Sequence, residues 1–406
     1  MHERDCLKKI ISFRDTAELI KVITGVRRCG KSSLLALFRD HLVSSGVKPS
    51  SILHINFEAM QYSGINSARA LNDLVKAGKA KRGKTYVLLD EVQLVPEWER
   101  AVNSLRLDRG MDIYITGSNT HMLNSPLSTL LSGRYVEIRM LPLSFREFLV
   151  FCKADKKKDR RQYFEQYIQQ GGFPGIFSFN RDESLIQDYT SGIYSTIVMK
   201  DIIRMNQIRD VDILEKIIFF LADNIGNPVS AKKIADYLTS TGRKTTADTT
   251  DNFLKMLESA YLFYRAKRSD IKGKRLMKIN DKFFIVDLGL RNFLKGKTSD
   301  YGSTLENIVF LELLRRGYNV TVGKLDSLEV DFVAWKSSEQ VYFQVTSTLT
   351  LPGVLERELT PLRKIPDNYK KVILSMDPVL EFESIDGIFH YNLMDFLLGG
   401  PTFDPG

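Results

Sequence analysis

An α/β fold built on a parallel sheet is predicted by three features of the 406-residue chain. An apolar run, Leu19-Ile20-Lys21-Val22-Ile23-Thr24, leads directly into Gly25-Val26-Arg27-Arg28-Cys29-Gly30-Lys31-Ser32, a complete G-x-x-x-x-G-K-[ST] phosphate-binding loop. Leu34, Leu35, Leu37 and Phe38 then continue at helical spacing. Four more strand-like runs follow with helical patterns between several of them, and such alternation makes a parallel sheet covered on both faces.

The loop names a ligand class. Gly25 and Gly30 permit dihedrals that turn successive N–H groups toward a phosphate. Lys31 supplies a point charge for the β- and γ-phosphates, and the Ser32 hydroxyl can ligate Mg²⁺. The helix that opens here adds partial positive charge at its N-terminus. The expected nucleotide-binding set is Gly25, Val26, Arg27, Arg28, Cys29, Gly30, Lys31, Ser32 and Ser33.

The four later runs are Ser51–Phe57, Thr85–Leu89, Met111–Thr116 and Tyr135–Met140. The second of them delivers Asp90 and Glu91 at its end. Asp90 can hold Mg²⁺ through its water shell, and Glu91 can orient or deprotonate an attacking water. The third ends Ile115-Thr116-Gly117-Ser118-Asn119. Ser118 and Asn119 carry two readings, a contact to the γ-phosphate or lytic water and a turn with a helix cap. A helix-like run over 121–131 stops at Ser132-Gly133-Arg134. Arg134 reads either as an arginine finger, in cis or across a subunit boundary, or as a surface ion pair. Arg27 and Arg28 compete for the finger role.

The composition is that of a globular protein, 43% hydrophobic and 26% charged, and the length calls for two or three domains. A net charge of +9 and a pI near 9.2 are compatible with a polyanionic partner without selecting one. Cys6, Cys29 and Cys152 show neither metal spacing nor pairing logic, which predicts a reducing cytosol without disulfides or zinc. No apolar stretch approaches the ~20 residues that span a bilayer. Mixed charges in 1–9 argue against a signal peptide, so the expectation is a cytoplasmic protein with no membrane partner.

Beyond residue 150 the chain changes character. A charged break at 153–161 and a breaker at Gly171-Gly-Phe-Pro-Gly175 precede a long amphipathic helix expected over 182–206. Residues 213–278 read as three helices, 213–225, 231–238 and 245–260, followed by strands 261–266 and 275–279 paired as a ribbon. That order is a winged helix-turn-helix pattern. Arg243, Lys244, Lys255, Arg265, Lys267, Arg268, Lys272, Lys274, Arg275 and Lys278 concentrate charge there. One reading is DNA backbone contact, with Lys272, Lys274 and Arg275 as the contacts; the other is an interdomain lid or protein-docking module. Further on come a helix over 303–317 carrying Glu306, a strand over 318–322, a strand carrying Asp331, and a strand carrying Gln344 and ending at Thr346.

The elements Gly-Val-Arg-Arg-Cys-Gly-Lys-Ser, Leu-Leu-Asp-Glu-Val-Gln, Ile-Thr-Gly-Ser-Asn, Leu-Ser-Gly-Arg and Leu-Pro-Leu-Ser-Phe-Arg-Glu-Phe together resemble the prokaryotic AAA-type ATPases of the archaeal-ATPase-like group, over essentially the full chain. The resemblance implies an AAA sheet and ATP with Mg²⁺. It makes Asp90-Glu91 the Walker B pair, Ser118 or Asn119 the sensor, and Gln93 and the Gly-Gly-Phe-Pro element family-typical features. The absence of an Asn-Lys-x-Asp-like guanine reader agrees. The last domain is similar to the PD-(D/E)xK nuclease core, with Glu306, Asp331 and Gln344 at the metal-site positions. Thr346 stands where active members have their lysine, and threonine cannot replace an ammonium. Lys324 and Lys336 are the candidates to take over that role.

The expected organisation is an ATPase domain over 1–150, a helical linker or lid over 151–212, a winged-helix-like domain over 213–282, a small nuclease-like α/β domain over 283–398 and a tail over 399–406. The expected activity is Mg²⁺-dependent ATP hydrolysis whose nucleotide state moves the later modules, on DNA or otherwise. The alternatives are a nucleotide-gated protein-binding switch with slow hydrolysis and a metal-dependent nuclease. An arginine finger acting in trans would make the protein an oligomer.

Overall fold

Strand β1 (Ile20–Thr24) is buried along its whole length and runs straight into the phosphate-binding loop. A computed structural model describes residues 4–118, 133–155, 159–180, 182–273, 275–277, 280–296, 300–337, 339–378 and 384–400. The chain divides into two compact units, Met1–Pro142 with Ser259–Tyr261, and Leu143–Glu258 with Leu262–Gly406.

In the first unit, helix α1 (Asp5–Ser12) precedes β1, and α2 (Lys31–Ser44), β2 (Ile52–Asn56), α3 (Ala68–Ala77), β3 (Thr85–Asp90), α4 (Trp98–Arg106), β4 (Met111–Gly117) and β5 (Tyr135–Arg139) follow. The five strands form one wholly parallel sheet in the order β2-β3-β4-β1-β5. Near-continuous apolar runs such as Tyr86-Val87-Leu88-Leu89 are what a sheet covered on both faces demands. One face packs Val22, Val87, Leu89, Ile113 and Ile115 against Leu71, Val75, Trp98 and Leu105 of α3 and α4. At the strand-start end, Lys21 and Asp112 form a fully buried ion pair. Lys21 also donates to Thr16 O at 2.7 Å, and Asp112 accepts from Tyr114 Oη and Asp15 N, both at 2.9 Å. These groups lie at the opposite end of the sheet from the loop and satisfy one another.

The second unit begins with α5 (Phe145–Phe151), entered through a reciprocal capping box between Ser144 and Glu147. Helices α6 (Arg160–Gln170) and α7 (Glu183–Thr196) follow; the long helix expected over 182–206 is α7 continued by a π-helix, Ile197–Arg204. Next come α8 (Val211–Asp223), β6 (Pro228–Val229), α9 (Ala231–Ser240), α10 (Ala247–Ser259), β7 (Phe263–Ala266), β8 (Arg268–Asp270), β9 (Arg275–Leu276) and β10 (Asp281–Ile285). The ribbon differs from the expected one. β7 pairs with β10, which also pairs with β6, while β8 and β9 pair with each other and β8 lies parallel to β11 (Asn319–Leu325). Apolar alternation sets which face of a strand is buried but not which strand lies beside it.

After α11 (Leu288–Lys295) and α12 (Tyr301–Arg315), β11, β12 (Leu328–Lys336) and β13 (Glu339–Val345) form an antiparallel meander. Helix α13 (Val354–Arg363), strands β14 (Lys370–Ser375), β15 (Ser384–Ile385) and β16 (Ile388–Asn392), and helix α14 (Leu393–Leu397) complete an eight-stranded sheet, β15-β16-β14-β13-β12-β11-β8-β9. Of the expected tail, Gly399 and Gly400 close α14 through bonds to Phe396 O and Asp395 O, at 3.1 and 2.8 Å; 401–406 lie outside the described residues. Among the described residues no helix is long and apolar enough to cross a membrane.

Candidate functional site

The loop from β1 to α2 is shaped by residues in the left-handed region: Gly25 at φ 147°, Arg28 at 68° and Gly30 at 106°. Gly25 is obligatory on steric grounds as well, because a Cβ there would lie 2.0 Å from Met140 O. Helix α2 starts at Gly30 with no side-chain cap, which leaves its first N–H groups for a phosphate. Lys31 is buried and donates to Gly25 O and Val26 O at 3.0 and 3.2 Å, so its ammonium lies within the loop. Two outside contacts hold the loop in place. Met140 N donates to Thr24 O at 2.7 Å, and the buried Arg4 guanidinium spans Cys29 O and Leu141 O, each at 2.9 Å. Burial pushes the Cys29 thiol up from its usual range, which keeps it protonated inside the loop. Ser32 and Ser33 are exposed, Val26 is buried, and Arg27 pairs with Glu58 at 3.5 Å.

Strand β4 separates the loop strand from the acid strand, so β3 delivers Asp90 and Glu91 two strand spacings, about 10 Å, from β1. Both acids are buried. Thr116 Oγ1 on β4 donates to Asp90 Oδ1 at 2.5 Å and accepts Glu91 N at 2.9 Å, so one hydroxyl ties the pair together. Asn56 at the end of β2 donates to Asp90 Oδ2 at 3.1 Å. Glu91 itself sits in the left-handed region at φ 54°, and its Oε2 accepts from Gln93 Nε2. Non-glycine residues in that region cluster at functional sites.

The AAA domain family matches residues 17–149, and a domain of unknown function, DUF8612, matches 161–301. An uncharacterized protein of Haemophilus influenzae is 44% identical over 395 residues, covering 97% of each chain. This chain belongs to a family of AAA-domain proteins. An uncharacterized protein of Methanocaldococcus jannaschii is 30% identical across 91% of this chain and 85% of its own. The solved Walker-type ATPase of Pyrococcus abyssi is 18% identical with a TM-score of 0.47, over 73% of this chain and 96% of that one.

Within the AAA domain the structure brings the loop residues 25–33 to one end of the sheet and Asp90-Glu91 to the same, carboxyl-terminal end of its strands. Ser118 is buried just past the end of β4. Asn119 lies outside the described residues. Arg134 does not join its own loop. The parallel register sets Tyr135 beside Ile20, and Ile20 N donates to Arg134 O at 2.9 Å. That is the strand-start edge, roughly 16 Å from Gly25 along β1, too far for Arg134 to act in cis on its own loop. Sequence reasoning missed Arg4, Asn56 and Thr116. The hydroxyl within Ile115-Thr116-Gly117 was the available signal, a polar group on a strand otherwise buried.

A second cluster lies in the other unit. Glu306, Asp331 and Gln344 come together there, and one oxygen of each already accepts a hydrogen bond. Gln344 Oε1 accepts Asp331 N at 2.8 Å and its Nε2 donates to Glu358 at 2.8 Å. Asp331 Oδ2 accepts Val345 N at 2.8 Å, and Thr346 Oγ1 donates to Thr348 O. The cation here is neither Lys324 nor Lys336. It is the buried Lys282 of β10, 3.0 Å from Glu306 and 2.9 Å from Glu329. Burial and mutual repulsion hold Asp331 well above the usual carboxylate range, and burial raises Glu306. Among the described residues no group of three or more potential ligands is arranged to hold a metal ion.

Of the described basic residues expected around DNA, five make close ion pairs. Lys272 pairs with Asp326 at 2.6 Å, Arg243 with Asp212 at 2.7 Å, Lys255 with Asp251 at 2.8 Å, and Arg268 with Glu329 at 2.6 Å. Arg265 lies among Asp251, Glu258 and Asp281. Arg275 is exposed, with Asp270 at 3.9 Å; Lys274 and Lys278 lie outside the described residues.

Proposed function

We propose that this protein binds and hydrolyses ATP, and that the nucleotide state moves the modules that follow the AAA domain. The observation that carries this reading is the pairing of an uncapped glycine loop holding Lys31 with a buried Asp90-Glu91 pair joined by Thr116. The loop amides and Lys31 bind the triphosphate. Ser32 and Asp90, both hard oxygen donors, are the residues that would hold Mg²⁺, which screens the phosphate charge when bound. Glu91 orients the water and accepts its proton, and Ser118, buried just past the end of β4, senses the γ-phosphate. Arg134, exposed at the far edge of its own sheet, serves only a neighbouring protomer in this reading.

The order α8-β6-α9-α10-β7-β10 supports a winged helix over 213–282, and the α12–β13 segment supports a nuclease-like core without nuclease activity. The ion pairs on Arg243, Lys255, Arg265, Arg268 and Lys272 favour docking to a protein over contact with DNA phosphates, which needs unneutralised cations. In the decisive experiment, Glu91→Gln retains fluorescent-ATP binding and loses turnover by about 10²–10⁴-fold, whereas Lys31→Ala loses binding. Full turnover by Glu91→Gln ends the assignment. Wild-type turnover raised many-fold by DNA would overturn the docking reading.

A further inference from the structure

Gln93 lies in the single 3-10 turn Val92–Leu94 that follows Glu91, and its Nε2 is the hydrogen-bond donor to the Glu91 carboxylate. The amide orientation is dictated, because exchanging nitrogen and oxygen would set an oxygen against a carboxylate. Its Oε1 is buried and has no hydrogen-bond partner among the described residues. A buried acceptor left unpaired costs stability, and a side chain kept for stability would use both ends. Glu91 enters the turn in the left-handed region, anchored at its N–H by Thr116. Its backbone is therefore held from one side and its carboxylate from the other.

We infer that Gln93 is a positioning residue for hydrolysis: its amide N–H fixes the rotamer of the Glu91 carboxylate, at a cost in stability set by the orphaned Oε1. The inference rests on the ATPase reading and on Glu91 as the base. Carboxylate placement matters because a proton acceptor works only within hydrogen-bond reach of its water, and a displacement of about 1 Å can cost on the order of 100-fold in rate.

Gln93→Leu removes donor and orphaned acceptor together. Turnover should fall on the order of 10–100-fold, while KM for ATP and the affinity for a fluorescent ATP analogue stay within about twofold and the thermal midpoint is unchanged or higher. A purely structural glutamine would give the opposite pattern, a lower midpoint with kcat kept, and that result overturns the inference. Gln93→Glu, isosteric but set against Glu91 with like charge, should lose turnover as well. In single-turnover assays, Glu91→Gln with Gln93→Leu should be no slower than Glu91→Gln alone; an additive loss also overturns it. The two readings fail separately. Turnover surviving Glu91→Gln removes the base, whereas a dead Glu91→Gln beside a fully active Gln93→Leu removes only the role of Gln93.

Discussion

Lys282→Met tests whether one ammonium holds the second cluster together. Methionine keeps most of the aliphatic length and deletes the charge. The ammonium is buried, with Glu306 at 3.0 Å and Glu329 at 2.9 Å, while those two carboxylates keep 18% and 30% of their side-chain surface exposed. Glu329 retains Arg268 at 2.6 Å, which leaves Glu306 as the orphaned charge, with Asp331 adding repulsion. Removing one partner of a fully buried pair costs about 3–5 kcal/mol, an upper bound here because Glu306 keeps some contact with water. The loss should depend on pH in a defined direction. Glu306 is already raised by burial, with Lys282 opposing that rise, so deleting the ammonium raises it further. The folded variant then binds more protons than its unfolded chain between the two pKa values, and its stability climbs as pH falls. The penalty should therefore be smaller at pH 5 than at pH 8. The ammonium's own raised pKa lies far above this window and contributes no slope. Urea unfolding followed by tryptophan fluorescence, with Trp335 on β12 reporting this sheet, reads both numbers. Lys282→Met with Glu306→Gln should recover much of the loss, since the orphan is then neutral. A penalty under ~1 kcal/mol, or one flat between pH 5 and 8, refutes the reasoning.

Gly25→Ala places a Cβ 2.0 Å from Met140 O at φ 147°, so nucleotide affinity should collapse and backbone strain alone should cost roughly 1–3 kcal/mol, read by ATP-analogue binding and calorimetry. Asp287 is fully buried; burial outweighs its bonds from Gly172, Leu290 and Gly289 N–H and pushes its pKa up to about 6. Its folded pKa exceeds its unfolded one, so the folded state binds the extra proton. Stability should therefore fall as pH rises from about 4 to 6 and level off above, and Asp287→Asn should flatten that part of the profile of melting temperature against pH.

The loop, the two acids and the five-stranded sheet were legible because each is written locally. The glycines, Lys31 and Ser32 fall within eight consecutive residues, and strand and helix periods alternate around them. What stayed hidden depends on which strands become neighbours. Thr116 reaches Asp90 across 26 positions, Asn56 reaches it across 34, and Arg4 reaches Leu141 across 137. Arg134 misled for the same reason: a glycine-arginine end to a helical run marks a boundary, but only the β1–β5 register says which edge of the sheet that boundary occupies. The basic run after residue 260 was legible as charge and not as surface, because its acids, Asp326 and Glu329, lie on and beside a later β-meander. The hairpin β8–β9 leaves the β6-β10-β7 sheet and joins the eight-stranded one, between two strands, β7 and β10, that pair with each other. With Lys282 on β10 bonded to Glu306 and Glu329, the chain segments read as winged helix and nuclease-like core share both a sheet and a buried ion cluster. Lys282→Met therefore perturbs a contact that the two segments share, and its stability loss measures how strongly that contact joins them.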